Sequence, residues 1–158
     1  MSKKYKIVLA ANLILVLAFF AFSVMQKETL IAKGTEVLLR LAPVDPRSLM
    51  QGDYMALNYQ ILQEISYKSK SGYVVVKLGS DNVAEFVRIQ DGKDVNDGEF
   101  IIRYKRHNGR LTIGADNYFF QEGSGQKYEK AKYGLLKVDS DGNSILIGLC
   151  NDDGLLIE

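Results

Sequence analysis

The sequence predicts a mainly β protein, in which one N-terminal transmembrane helix precedes a small antiparallel β-barrel-like domain. Two observations predict this class. Residues 7–25 carry no charged side chain, and the chain after residue 34 consists of short apolar runs separated by turn signals. Runs repeated about every 8–12 residues are typical of antiparallel barrels and sandwiches. We therefore divide the chain into a cytoplasmic tail (1–6), a transmembrane helix (7–25), a linker (26–33) and a β domain (34–158).

The uncharged segment is long enough to cross a bilayer as a helix. Its 19 residues rise by about 28 Å, close to the roughly 30 Å hydrocarbon core. Lys3, Lys4 and Lys6 precede it, and because positive flanks stay in the cytoplasm, we expect the domain to lie outside. The alternative is a signal peptide cleaved after a small-x-small site at residues 21–23, although the apolar run is longer than usual for one. Residues 26–33 either form a linker or continue the helix.

Nine segments of the outer domain have the composition of β-strands, because Val, Ile, Tyr and Phe recur in them. They cover residues 35–41, 54–62, 73–77, 83–89, 100–106, 110–114, 118–121, 134–138 and 144–150. Asn108-Gly109 is the strongest hairpin signal, and residues 140–143 predict a second hairpin. Residues 126–132 are polar and fit either one helical turn or a loop.

Composition argues against several classes of function. The net charge is +1, whereas nucleic-acid-binding proteins usually carry a large basic excess. Cys150 is the single cysteine, so no disulfide forms within the chain, and its apolar surroundings predict a buried strand position. The single histidine, His107, cannot form a zinc site with one distant cysteine.

The acidic cluster at residues 139–143 has the spacing that opens a calcium loop. Its glycine is one residue early and its twelfth position is a cysteine, which favours a simple turn. We therefore expect neither a metal nor a cofactor. Arg103, Lys105, Arg106 and Arg110 form a local basic patch around the first hairpin turn. This patch suits lipid headgroups or an acidic partner, and a solvated hairpin is the simpler interpretation.

The stretch Gly-Asp-Tyr-Met-Ala-Leu-Asn-Tyr at residues 52–59 is the most informative part of the chain. Tyr54 and Tyr59 differ in parity on a strand, so they point to opposite faces, whereas Leu57 shares the face of Tyr59. One face is expected to be core, and the other suits an apolar contact surface. A second block comprises residues 118–123 and 128–134. The motif residues are Asp45, Pro46 and Arg47 in the lead-in, Gly52, Asp53, Tyr54, Leu57 and Tyr59 in the stretch, and Glu122, Gly123, Glu129, Tyr133 and Gly134 in the second block.

With these residues the chain resembles the uncharacterised GDYXXLXY family of bacterial membrane-anchored proteins, because it fills every specified position of that motif. The resemblance covers nearly the whole chain. It implies a single-span protein of the bacterial inner membrane whose genes often lie beside those of polytopic membrane proteins. We therefore expect a non-catalytic accessory or partner subunit of such a protein, with the lipid bilayer as its other partner. The family has no established activity.

The same stretch is also similar to the catalytic box of signal peptidase I, Ser-Met-x-Pro-Thr-Leu-x-x-Gly-Asp. When the two Gly-Asp pairs are aligned, Val44 takes the position of the nucleophilic serine. The match to the lysine strand, at residues 86–89, puts Val87 in the position of the general base. Because valine supplies neither an attacking hydroxyl nor a titrating amine, this resemblance implies a related barrel without peptidase chemistry.

Two alternative functions stay open. In a membrane-anchored hydrolase, Ser48 would attack with Lys77 as its base, or Asp45 and Asp53 would form an acid–base pair. Ser48 and both aspartates also suit turn capping, which is the simpler interpretation. In the other alternative, a groove beside Tyr54 makes the domain a binding module for a peptide or an envelope polymer.

Glu122 and Glu129 form a further candidate pair of carboxylates. Paired carboxylates can share acid and base roles in a hydrolase. The simpler interpretation is that they form salt bridges, for which the available cations are Arg47, Arg88 and Lys132.

Overall fold

A computed structural model describes residues 3–42, 54–66 and 69–157, and it contains one long helix followed by three antiparallel sheets. The predicted class, mainly β after an N-terminal helix, is confirmed. In the described residues the sheets do not close into a barrel. An isolated β-bridge between Leu38 and Val83 links the two larger sheets, with the Leu38 amide donating to the Asn82 carbonyl at 2.9 Å.

The helix α1 spans Lys3–Lys33, so residues 26–33 continue it. It is long and apolar enough to cross a membrane, and its apolar stretch is exposed to its surroundings. Its last turn packs on the β domain through Leu30, which is buried. The Gly34 amide donates to the Leu30 carbonyl at 2.8 Å, which ends the helix beside the first strand.

The first sheet has the order β1-β8-β9 and consists of β1 (Thr35–Arg40), β8 (Tyr133–Val138) and β9 (Ser144–Cys150). The predicted β8–β9 hairpin is confirmed. The Asp139 carboxylate accepts hydrogen bonds from the backbone amides of Asp141 at 2.9 Å and Asn143 at 2.8 Å. The residues that match the start of a calcium loop therefore build a turn, as predicted. Cys150 is buried in β9, also as predicted.

The second sheet has the order β4-β3-β5-β6 and consists of β3 (Ser71–Leu78), β4 (Ala84–Gln90), β5 (Glu99–His107) and β6 (Arg110–Thr112). Val74, Val75 and Val76 fill the buried centre of β3. Between β5 and β6, Asn108 and Gly109 both have positive φ, 49° and 82°. Two such residues make the type I′ turn that a two-residue hairpin favours, so the first predicted hairpin is also confirmed.

The third sheet pairs only β2 (Tyr54–Ala56) with β7 (Asn117–Phe119). The prediction of one strand over residues 54–62 is therefore wrong at its end, because β7 offers only three partners. After β2 the Ala42 amide donates to the Asn58 carbonyl at 2.8 Å, which draws the chain toward β1. A 3₁₀ helix, Gln60–Glu64, follows. The short helix α2, Gly125–Tyr128, is the helical turn that the polar segment allowed.

One hydrophobic core is shared by all three sheets. Its most buried aliphatic side chains project from opposite sheets toward each other, as expected when two layers pack face to face. They are Val37, Leu39, Met55, Val74, Val76, Ile102, Leu136 and Leu149. Three buried residues form a second cluster outside this core, on the far side of β1: Leu38, Val83 and Cys150.

An ion pair joins the two strands that flank β3. The Arg88 guanidinium donates from both terminal nitrogens to Glu99, each at 2.8 Å. The Asn96 amide also donates to Glu99, whose side chain is only 11% exposed. Arg88 therefore pairs with Glu99 and not with Glu122 or Glu129. These bonds, above all those from Arg88, lower the pKa of Glu99 to about 2.

The depressed pKa of Glu99 predicts how stability depends on pH. A carboxylate whose folded pKa lies below its unfolded value of 4.5 stabilises the fold fully above pH 4.5. This contribution is lost as the pH falls toward 2. We expect the stability difference between the wild type and Glu99→Gln to be constant above about pH 5.5, a unit above the unfolded pKa, and to shrink below it. Denaturant unfolding of the full chain in detergent, followed by near-ultraviolet circular dichroism of the tyrosines, measures it.

Glu85→Gln provides a matched control, because Glu85 is an exposed carboxylate of β4. The stability difference between the wild type and Glu85→Gln should not shrink comparably between pH 5.5 and 2. A stability difference for Glu99→Gln that is independent of pH would contradict the assigned ion pair.

Candidate functional site

The central stretch and the second block meet in the third sheet. Tyr54 pairs with Phe119, and Met55 pairs with Tyr118. The Leu57 amide then donates to the Asp116 carbonyl at 2.7 Å, beyond the end of β2. The two blocks are thus held together by backbone hydrogen bonds, although about 60 residues separate them in sequence. The other part of the motif lies outside the described residues: Val44, Asp45, Pro46, Arg47, Ser48, Gly52 and Asp53.

The predicted division of the motif into two faces is confirmed. Leu57 is 2% exposed and Tyr59 is 1% exposed, and both belong to the central core. Tyr54 and Ala56 are only partly buried. The Tyr54 ring lies 5.7 Å from that of Phe119, which is 73% exposed. The face that carries Leu57 and Tyr59 is therefore core, and the opposite face carries the exposed aromatic pair.

Tyr59 is the buried anchor of the motif. Its hydroxyl donates to the Ala115 carbonyl at 2.6 Å, and its backbone bridges to Leu41 at the end of β1. Burial, with a smaller effect of the Asp116 carboxylate, raises the pKa of Tyr59 far above its usual range. The hydroxyl therefore stays protonated and acts as a hydrogen-bond donor inside the core, which does not fit the role of a general base.

The Tyr59 ring lies against Gly134, a residue of the second block. A Cβ on Gly134 would lie 3.0 Å from Tyr59 Cε1 and 3.2 Å from its hydroxyl oxygen. It would also lie 3.3 Å from a methyl group of Leu146. Gly134 sits in the middle of the first sheet, paired with Leu39 and Leu149. The glycine therefore provides the space that the ring occupies, and it links the two motif blocks by shape.

Further aromatic contacts join the third sheet to α2 through the ring of Tyr128. The Tyr128 ring lies 5.0 Å from Tyr118 in an edge-to-face arrangement and 5.5 Å from Phe120 in a stacked one. Burial, together with the hydrogen bond to Tyr128, raises the pKa of Tyr118 to about 12. These pairs hold the short helix α2 on the third sheet.

A cleft of about 270 Å³ opens beside the motif, between β2 and the segment that follows α2. Six of its ten described lining residues are apolar, and the exposed residues Glu129 and Lys132 supply its charges. Among the described residues that line it, none is a serine, threonine, cysteine or histidine. The described part of the cleft thus offers surface for contact, and its described lining residues include no hydroxyl or thiol nucleophile of the serine, threonine or cysteine type.

The remaining candidate residues lie apart from this cleft. Glu122 and Gly123 follow β7 in a turn, where Gly123 adopts a φ of +80°. Val87, which the second resemblance placed at the lysine base, lies on β4 with 40% of its surface exposed. Val44 and Ser48 lie outside the described residues, so the structure gives no distance from them to Val87 or Lys77.

Arg110 supports the motif stretch, although the sequence predicted for it only a place in a basic patch. Its guanidinium donates to the Leu57 carbonyl at 3.3 Å and to the Asn58 side-chain oxygen at 3.1 Å. Arg106 similarly donates to the carbonyls of Ser69 and Gly109, each at 3.0 Å. Two cations of the patch therefore support loops, and nothing in the local sequence signals the distant acceptors Leu57, Asn58 and Ser69.

Comparison with known proteins gives one match. A family model described as GDYXXLXY protein matches residues 16–149. No curated protein matches the chain, and no solved structure does. The matched range contains the second half of α1, the strands β1–β8 and all of β9 except Cys150.

The contact between Tyr59 and Gly134 predicts an overpacking effect. Gly134→Ala should destabilise the full chain by about 1–3 kcal/mol, because the new methyl group forces either the ring or β8 to move. In a Tyr59→Leu background the same substitution should cost at least about 1 kcal/mol less, since close neighbours couple. Denaturant unfolding in detergent measures all four proteins of this double-mutant cycle.

Gly92→Ala is the control for the loss of a glycine. A Cβ there meets only an Asp94 oxygen at 3.7 Å, so we expect a change within about 0.5 kcal/mol. Equal costs for Gly134→Ala in both backgrounds would show that the ring does not determine the need for glycine.

Proposed function

This chain belongs to the GDYXXLXY protein family, and from that premise we propose that it is a membrane-anchored, non-catalytic subunit that binds a polytopic membrane protein. The observation that carries the proposal is the burial of three motif residues, Leu57, Tyr59 and Gly134. Leu57 and Tyr59 point into the core, and Gly134 makes room for the ring. Catalytic motifs instead expose polar groups that converge on a pocket.

The exposed helix supports a partner inside the membrane. Apolar side chains cover α1 on all sides over its candidate membrane span, and in the described residues only its last turn packs on the domain. Asn12 interrupts the apolar stretch, and such a residue hydrogen-bonds well to a neighbouring helix. A second helix would bury both the apolar surface and this amide.

A close junction between α1 and the β domain supports a coupling between the membrane helix and the domain. A Cβ on Gly34 would lie 2.5 Å from the Leu30 carbonyl oxygen and 3.1 Å from Lys137 Cβ, so this junction residue fits tightly between the end of the helix and β8. A rigid junction transmits the position of α1 in a complex to the domain. The proposal places the domain outside the cytoplasm and the helix in the bacterial inner membrane, because Lys3, Lys4 and Lys6 precede the span.

The exposed Phe119, with the Tyr54 ring beside it, offers the partner a contact on the domain. Aromatic side chains are common at the centres of protein interfaces. The hydrolase alternative depends on Ser48, Asp45 and Asp53, which lie outside the described residues, and no described contact favours it.

Site-specific photo-cross-linking tests the proposed partner. A photoreactive amino acid replaces each residue from 13 to 20 in turn, in full-length protein expressed in its native membrane. We expect a discrete adduct with a protein of several membrane spans. Its yield should peak about every 3.6 residues, because one face of α1 meets the partner helix.

The same photoreactive residue at position 130, which is exposed on the β domain, controls for random collisions. Adducts with lipid alone, or protein adducts of equal yield at all eight positions, would refute the proposed partner. Mass spectrometry of the adduct identifies the captured protein, and the sequence of that protein gives its number of membrane spans.

A further inference from the structure

We propose that a notch between the end of α1 and the second sheet binds the phosphate of an anionic phospholipid headgroup. The notch has a volume of about 260 Å³. Lys27 of α1 forms one wall, and Arg103 and Lys105 of β5 form the other. The inference deepens the proposed function, since it rests on α1 crossing the membrane, but it needs no protein partner.

Charge makes this notch suitable for an anion. Three cations line it, and no described lining residue is acidic. In the described part of the chain, neither Lys27 nor Lys105 forms an ion pair. Arg103 is held in place, because it donates to the Tyr73 hydroxyl at 3.1 Å and lies 5.6 Å from the centre of that ring. Two free ammonium groups and one oriented guanidinium can bind the non-bridging oxygens of a phosphodiester.

The depth of the notch matches the headgroup layer. Lys27 follows Met25, the last residue of the uncharged segment, by two positions. Two residues raise a helix by about 3 Å, so Lys27 lies just outside the hydrocarbon core when residues 7–25 span it. Since Arg103 and Lys105 share the notch with Lys27, β5 lies at the same level.

A larger cavity beside the notch distinguishes a lipid from a free phosphate ion. It has a volume of about 790 Å³, and Lys27 and Asn143 line both cavities. Phe22 and Met25 form its apolar wall on the membrane side. A phospholipid would place its phosphate in the notch and the start of its acyl chains along these side chains, which an inorganic ion cannot use.

The acidic residues of the larger cavity are already engaged. Asp139 accepts hydrogen bonds from the turn that it caps. Asp141 forms an ion pair with Lys93 at 2.5 Å. The ion pair partly compensates the charge of Asp141, and both aspartates also attract Arg103, so Lys27 and Lys105 are the notch cations that form no ion pair in the described residues.

Native mass spectrometry of the full chain in detergent tests the site. Phosphatidylglycerol and phosphatidylcholine are titrated separately, and bound lipid is counted. We expect one phosphatidylglycerol to bind about tenfold more tightly than phosphatidylcholine. Lys27→Gln and Lys105→Gln should each weaken phosphatidylglycerol binding about fivefold, because each removes one cation from the phosphate. Unchanged near-ultraviolet circular dichroism shows that both variants are folded.

Lys130→Gln is the matched control, because it removes an exposed lysine far in sequence from those that line the notch. Equal affinity for the two lipids, or equal weakening by Lys130→Gln, would overturn the proposal. Displacement of phosphatidylglycerol by millimolar inorganic phosphate would assign the notch to the free ion and also overturn it. The purified chain suffices for this test, so failure to find a polytopic partner leaves the result unaffected.

Discussion

The ring of Tyr59 against the bare backbone of Gly134 is the contact on which the arrangement of the domain depends. A glycine in a central strand leaves a gap, and a gap in a core is costly unless another side chain fills it. Tyr59 fills it and carries its hydroxyl through to the Ala115 carbonyl at 2.6 Å. One side chain thereby joins the first sheet, the end of β2 and the segment before β7.

This contact accounts for why the two motif blocks occur together. β2 and β7 each have three residues, and a two-stranded sheet of that size has little stability of its own. It persists because Leu57 and Tyr59 fix one end in the core and the rings of Tyr118 and Tyr128 hold the other. In its described residues the motif thus has a structural role, and the contact surfaces that we propose lie on α1, around Phe119 and at the notch beside Lys27.

Much of the fold could be predicted, because it is encoded locally. Apolar runs give strand positions, and Asn108-Gly109 gives a turn, since both residues accept positive φ. The parity of Leu57 and Tyr59 likewise follows from the period of a strand. The end of β2, the partner of Arg88 and the acceptors of Arg110 depend on which strands lie side by side and in which register, which a single sequence does not specify. The motif includes Gly134, but only the structure shows why a glycine is needed there, because the Tyr59 ring packs on it.

Hydrogen exchange of the wild-type chain in detergent tests most directly whether the motif is scaffold. Functional segments usually belong to the least stable parts of a fold. If the motif is scaffold, the amides of Ala42 and Leu57, which donate to backbone carbonyls at 2.8 and 2.7 Å, should exchange within about tenfold of the β3 amides. Exchange of both amides as fast as the exposed turn at Gly92, with β3 still protected, would contradict the account.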